Sequence, residues 1–281
     1  MHKIARLFTW FILFYSLGFV VAQAEDGFQS PDIFVLGDSQ LSFGAGVAFV
    51  EFFKQIEGQC GLKKGLSVGV LGVRSSSLTA WTAADTAGKN SICGIDPKWN
   101  VNAGSFGVIN KTTNKYVQVG QGAAYQFCQA GQTPFQAMFA KGYYNPKLFV
   151  MFFLGNATER WANSAAEALF DVKRTVRDLP AGMPCVFMTT APAYTQKVVD
   201  QRTKAQANIE AAFKTVGKQC SFVRGYTPVT VSANLGNPAN FRRKPDGSVK
   251  DPYHPTEDSA RSFLRLVKND FCAAIKTQMQ P

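Results

Sequence analysis

Two residues of this chain, Ser39 and His254, could together do nucleophilic chemistry. Ser39 lies in Gly37-Asp38-Ser39-Gln40-Leu41, directly after the apolar run Ile33-Phe34-Val35-Leu36. A run rich in β-branched and aromatic residues reads as a buried strand. The apolar spacing that follows (Val47, Val50, Phe53, Ile56) predicts a helix over about 47–57. Ser39 then sits at the C-terminal end of a strand, where open α/β sheets form their ligand crevice. A hydroxyl there is a nucleophile if a base can reach it, and a turn or N-cap serine if none can.

The base has one candidate. The sequence holds two histidines, and His2 belongs to the leader described below, which leaves His254 in Asp251-Pro252-Tyr253-His254-Pro255-Thr256. Imidazole is the side chain suited to general-base work near neutral pH. Asp251, three residues earlier, can reach across a turn to one ring nitrogen, fixing the tautomer and leaving the other nitrogen for Ser39. Read alone, His254 is an ordinary residue before a helix.

Two further strand ends carry groups that could face a developing oxyanion. One predicted strand, over 66–71, ends in Gly72-Val73-Arg74-Ser75-Ser76-Ser77, where small residues let backbone N–H groups come close to a ligand. Another, over 148–154, leads into Gly155-Asn156-Ala157-Thr158, whose side-chain amide could donate. The plainer reading of both is a turn.

The elements that must position these groups alternate. A helix with Ala165, Leu169, Val172, Val176 and Leu179 on one face is closed by Pro180 and Gly182. A strand over 185–190 follows, then a helix with Ala205, Ile209, Phe213 and Val216 inward, a fifth strand near Phe222, and a last helix over about 257–275. Strands alternating with helices predict an α/β fold with a parallel sheet of about five strands covered on both faces. Residues 82–144, rich in Gly, Asn, Thr and Gln, break the rhythm. Segments 105–109 and 116–119 could pair as a hairpin across Lys111-Thr112-Thr113-Asn114. The stretch reads as an insertion after the second strand, because its apolar content is too sparse for a separate core. Trp81, Trp99, Tyr143 and Tyr144 there could stack on sugar rings or cover the core.

The chain has 281 residues, 46% of them apolar and 17% charged, with a mean hydropathy of −0.06, which suits a folded chain with a large core rather than a disordered one. Lys3 and Arg6, the apolar stretch of 15 residues over 7–21 and Ala22-Gln23-Ala24 read as a signal peptide, residues 1–24, cleaved after Ala24. The stretch is short for a membrane span, and no Cys follows it to take a lipid. The expectation is a secreted or periplasmic protein without stable membrane insertion, with residues 25–281 as a single domain. Removing the leader leaves 28 basic against 19 acidic residues. That excess suits acidic partners such as anionic glycans. No zinc finger, helix-turn-helix or arginine-rich run points to nucleic acid. Six cysteines (Cys60, Cys93, Cys128, Cys185, Cys220, Cys272) in an exported chain favour disulfides, and about fifteen pairings are open. Cys93 with Cys128 is the expected pair within the insertion, and Cys185, at the start of a buried strand, could instead be a free core thiol. The spacing matches no zinc-ligand pattern.

The ordered set of Ser, Asn and Asp-x-x-His resembles the SGNH (GDSL-like) hydrolase family. Gly37-Asp38-Ser39-Gln40-Leu41 is similar to its first block and Asp251-Pro252-Tyr253-His254-Pro255-Thr256 to its last. Gly72-Val73-Arg74-Ser75 is similar to the second block, with Ser75 where the family has glycine. Leu154-Gly155-Asn156-Ala157 is similar to the third, with Leu154 in place of Gly and Ala157 in place of Asp. The insertion lies outside the resemblance. It implies a three-layer, flavodoxin-like α/β/α domain with Ser39, His254 and Asp251 as the triad. It also implies an oxyanion hole of the Ser39 and Ser75 N–H groups and the Asn156 amide, with no cofactor or metal.

The resulting expectation is an exported serine esterase that removes acyl groups, acetyl foremost, from a polysaccharide or cell-wall glycan. Variants on the same site are a lysophospholipase or lipase-like esterase and a glycan O-acyltransferase. From another class comes a non-catalytic glycan-binding protein on a decayed hydrolase fold, motivated by the departures at Ser75, Leu154 and Ala157.

Overall fold

The computed structural model describes residues 30–84, 92, 106–109, 116–117, 131–140, 144–217 and 219–280. The leader, Cys93, Trp99, Cys128 and Tyr143 lie outside them, as does the expected Cys93–Cys128 pair.

Five parallel strands form the main part of the sheet: β1 (Ile33–Gly37), β2 (Val68–Gly72), β5 (Leu148–Phe152), β6 (Cys185–Met188) and β7 (Cys220–Val223). Their spatial order is β2-β1-β5-β6-β7, the flavodoxin-like doubly wound order. The insertion adds a hairpin, β3 (Phe106–Ile109) and β4 (Tyr116–Val117), which pairs antiparallel beside β2 and extends the sheet to seven strands. The hairpin anticipated after the second strand is therefore present, as the edge of the sheet.

β1, β2 and β5 are buried at every position, as a parallel sheet with both faces covered requires. Alternate side chains of β1 point into two cores. Ile33 and Val35 pack with α1 (Gly46–Gln55), α8 (Glu257–Leu266) and α9 (Lys268–Met279). Phe34 and Leu36 face the other core, which includes α2 (Leu78–Trp81), α3 (Pro134–Ala140), α4 (Thr158–Asn163), α5 (Ala165–Asp178) and α6 (Gln196–Val216). A short helix, α7 (Pro228–Asn234), precedes the segment that carries His254. Trp81 and Tyr144 are core residues: Tyr144 stacks on Phe34 at 4.7 Å between ring centroids, and Trp81 stacks on Phe135 at 5.7 Å. Their rings are not available to a sugar.

Two sequence expectations change. The run over 257–275 is two helices, because the chain leaves α8 at Val267 (φ −93, ψ 3) and restarts as α9. Cys185 is no free thiol: parallel pairing of β6 and β7 sets it directly opposite Cys220, and the two form a disulfide across the strand pair. A second disulfide, Cys60–Cys272, joins the segment ahead of β2 to α9. Among the described residues no cysteine is free and no helix is long and apolar enough to cross a membrane.

Candidate active site

At the end of β1 the chain turns straight into helix. Asp38 carbonyl oxygen accepts from the N–H groups of Leu41 (3.1 Å) and Ser42 (3.4 Å), opening a π-helical turn, Leu41–Ala45, that runs into α1. Ser39 is thereby held at the mouth of the sheet, partly exposed. The turn passes close under β2: a Cβ on Gly72 would sit 2.7 Å from the Ser42 nitrogen, so only glycine fits there. Ser42 Oγ donates to the Gly72 carbonyl at 2.8 Å, fastening the two strand ends together.

His254 approaches from the other end of the sequence. Its Nε2 lies 2.8 Å from Ser39 Oγ, and its Nδ1 lies 2.7 Å from Asp251 Oδ2. Asp251 Oδ1 accepts from the backbone N–H groups of Tyr253 (3.0 Å) and His254 (3.2 Å), an Asx-type turn that aims the carboxylate at the ring. Burial raises the Asp251 pKa, but these hydrogen bonds and the imidazole outweigh it and hold the carboxyl below its ordinary value. Asp251 is therefore an ionised acceptor at neutral pH. His254 and Asp251 keep about a quarter or less of their side-chain surface exposed, at 20% and 26%. The relay is open to a substrate and sheltered from bulk water.

The segment carrying His254 is pinned on three sides. Tyr194 N–H donates to the Pro252 carbonyl (2.9 Å), and Thr256 N–H donates to the Asn240 carbonyl (2.8 Å). Thr256 Oγ1 also caps α8 by accepting from Ser259 N–H. The third anchor is Gln40, buried next to the nucleophile. Its Nε2 donates to the carbonyls of Tyr253 (2.9 Å) and Ala191 (3.2 Å), and its Oε1 accepts from Ala191 N–H (3.1 Å). One side chain thus ties the Ser39 turn to the His254 segment and to the loop after β6.

The other two strand ends meet each other. Ser75 has φ 62, the left-handed conformation that glycine adopts without strain. The turn is held by Ser76 Oγ donating to the Val73 carbonyl (2.7 Å) and by Val73 N–H donating to the Gly37 carbonyl (3.0 Å). Asn156, exposed in the 3-10 turn Gly155–Ala157, donates from Nδ2 to the Ser76 carbonyl at 2.9 Å. An amide carries two N–H bonds, so this contact orients the second. Asp38 ties the β5 end to the β1 turn: its Oδ1 accepts from Gln40 N–H (2.9 Å) and its Oδ2 from Leu154 N–H (3.5 Å). Burial pushes the Asp38 carboxyl up, against the opposing pull of Gln40 N–H, the nearby Arg202 guanidinium and Leu154 N–H. Arg202, itself buried, donates to Tyr226 Oη at 3.2 Å.

Of the anticipated residues, Ser39, His254 and Asp251 are in direct hydrogen-bond sequence, and Ser75 and Asn156 are joined through the Ser76 turn. Sequence reasoning missed Gln40 and Arg202 as supports. Gln40 was in view inside the Gly-Asp-Ser stretch, yet its partners lie 151 and 213 residues away, so no local pattern marks its role. No group of acidic, histidine or cysteine side chains among the described residues is arranged to hold a metal ion.

No family model matches the chain, and no curated protein matches it. Among solved structures it is similar to a candidate platelet activating factor from Streptococcus pneumonia, at 13% identity and a TM-score of 0.43 over 90% of this chain and 88% of that one.

Proposed function

We propose that this protein is an exported serine esterase of the SGNH type that removes small acyl groups, acetyl foremost, from a polysaccharide or cell-wall glycan. One observation carries the reading: Asp251, His254 and Ser39 form an unbroken relay at 2.7 and 2.8 Å. In the reaction Ser39 Oγ attacks the ester carbonyl while His254 Nε2 takes its proton. Asp251 stays ionised and stabilises the imidazolium through Nδ1. The tetrahedral oxyanion is received by the N–H groups of Ser39 and Ser75 and by the free N–H of the Asn156 amide. Each such donor lowers the barrier by about 3 kcal/mol in sites of this kind. His254 returns the proton to the leaving alcohol, the ester oxygen departs with it, and Ser39 is left acylated. Water, activated by the same imidazole, then releases the acid. None of these steps requires a metal or organic cofactor. The leader read from the sequence and the two disulfides support export.

Hydrolysis of p-nitrophenyl acetate and of longer-chain p-nitrophenyl esters by the protein, beside Ser39→Ala, tests this. The expected result is turnover of the short ester that Ser39→Ala abolishes. Preference for long acyl chains would move the substrate to lipids. Turnover that survives Ser39→Ala, or none in either protein, would overturn the reading.

A further inference from the structure

Of the ten arginines among the described residues, four are held by carboxylates. Arg160 pairs with Glu167 and Asp171, Arg177 with Asp178, Arg224 with Glu210, and Arg261 with Glu51, Glu257 and Asp258. Arg74 and Arg242 differ. Both are exposed, and among the described residues neither has a carboxylate within ion-pair distance. Instead both guanidiniums lie against one ring, Phe43, with Cζ at 4.1 Å (Arg74) and 5.0 Å (Arg242) from its centroid. That ring is 4.7 Å from the His254 imidazole, tilted by 51°.

Three separate elements converge to make this arrangement. Phe43 comes from the π-helical turn behind Ser39, Arg74 from the residue before the strained Ser75, and Arg242 from the segment that bridges to the His254 loop through Phe241 and Pro255. Two like charges held against one aromatic ring repel each other. An anion that reaches both lessens that repulsion and finds two planar donor forks suited to a carboxylate or phosphate.

We infer that Arg74 and Arg242, seated on Phe43, form the subsite for a sugar carboxylate of an acidic, acylated polysaccharide, beside the ester to be cleaved. The substrate class named here rests on the esterase reading; the anion subsite stands on its own geometry. The cations do not stop at Arg242. The turn it opens continues with Arg243, Lys244 and Lys250, all exposed, and its acid, Asp246, is engaged by Ser248 N–H and Oγ. Several positive charges on one turn next to the triad segment suit repeated carboxylates along a chain better than one headgroup. Among the described residues, the exposed large apolar side chains are Phe170, Val229, Tyr253 and Leu266, on separate elements, and only Tyr253 is next to His254 in the sequence. Tyr253, directly before His254, is 46% exposed with the Arg202 guanidinium 5.8 Å from its ring centroid, and its exposed ring surface can meet a sugar.

The test uses Ser39→Ala protein, so that binding is read without turnover. The probes are a hexameric oligogalacturonate, neutral maltohexaose, and vesicles rich in anionic phospholipid. Oligogalacturonate is expected to bind with an affinity that falls as NaCl rises, and maltohexaose to bind more weakly. Adding Arg74→Gln and Arg242→Gln together is expected to weaken oligogalacturonate binding by about tenfold or more. Lys63→Gln, at the opposite end of the strands, removes one unit of positive charge and is expected to leave binding unchanged. Equal binding of the neutral hexamer, binding that survives the double arginine change, an equal loss with Lys63→Gln, or binding to vesicles alone would each overturn the subsite. Loss of Ser39-dependent ester cleavage with this binding intact would overturn the esterase reading and leave the subsite standing.

Discussion

Among the described residues, the segments that lead into the strands are tied by covalent bonds, whereas those that leave them are tied by hydrogen bonds. At the entering end, Cys185–Cys220 locks the first residues of β6 and β7 together, and Cys60–Cys272 anchors the approach to β2. Gln278 of α9 adds to this, accepting from Cys185 N–H and donating to Ser221 Oγ. This end also holds a cavity of about 340 Å³, lined by Ile33, Phe53, Leu62, Leu66 and Val68 among others. At the leaving end there are no disulfides among the described residues. There, Gln40, Asp38, Ser42 and the Ser76 turn bind four strand ends into one surface. The difference teaches that volume does not find the chemistry. The roomy end sets a hydroxyl on a carboxylate, Ser67 Oγ on Asp32 Oδ2 at 2.9 Å, but among the described residues it has no imidazole, whereas the leaving end holds an aligned hydroxyl, imidazole and carboxylate.

The sharpest way to break this comparison is to damage the relay while sparing the scaffold. Asp251→Asn replaces an ionised acceptor with an amide that favours the wrong imidazole tautomer. On the esterase reading, kcat for p-nitrophenyl acetate falls by about 10⁴. Circular dichroism and the unfolding midpoint check that the fold survives. A fall of less than tenfold would mean that the Asp251–His254 contact is structural and that some other group orients the base.

Damage at the entering end should do the reverse. Cys185→Ala with Cys220→Ala opens a loop 35 residues long and is expected to cost about 4 kcal/mol of stability. Denaturant unfolding measures this. At temperatures where the variant remains folded, kcat is expected to stay near the parent value. A large loss of kcat would show that the covalent end sets the geometry of the triad, and the division drawn above would fail.

Gln40 is where the two kinds of effect should meet. Gln40→Leu keeps the buried volume but strips three hydrogen bonds, and the Tyr253 carbonyl and Ala191 N–H lose their Gln40 partner while the Ala191 carbonyl keeps the Tyr226 hydroxyl at 3.3 Å. The expected cost is about 2–3 kcal/mol of stability. Because the Tyr253 carbonyl belongs to the residue before His254, kcat is also expected to fall, by about 10- to 100-fold, with KM much less affected. Gln40→Glu retains one acceptor for Ala191 N–H and should recover little, since both lost donors served carbonyls.

The alternation of apolar strands and amphipathic helices was legible because burial on both faces writes itself into continuous apolar runs such as Phe149-Val150-Met151-Phe152. The relay was legible for a different reason. Asp251 and His254 are only three residues apart, and a lone imidazole outside the expected leader leaves few roles for it. What the sequence could not carry is contact between distant segments. Gln40 meets Tyr253 across 213 residues, Phe43 gathers Arg74 and Arg242 from two other loops, and Cys185 finds Cys220 only because β6 and β7 pair in register. The break at Val267 was hidden because its flanking apolar residues keep facing the same core.

The smallest expected effect bears on Ser75, where the resemblance to the SGNH pattern departs from glycine. A serine at φ 62 is strained, and its N–H is the only part of it the proposed reaction uses. Ser75→Gly keeps that N–H, relieves the strain, and makes the unfolded chain more flexible. The first two effects favour the variant and the third opposes it. The net change in stability is therefore expected to be small, about 0.5–1 kcal/mol in favour of glycine, read from the unfolding midpoint. Activity on p-nitrophenyl acetate should stay within a few-fold of the parent. Ser75→Val provides the contrast, because a β-branched side chain is poorly tolerated at this φ and should tilt the turn that carries both the Ser75 N–H and the Ser76 carbonyl. If valine lowered stability without lowering kcat, the Ser75 turn would be scaffold rather than part of the oxyanion hole, and the functional surface at the leaving end would shrink to the relay itself.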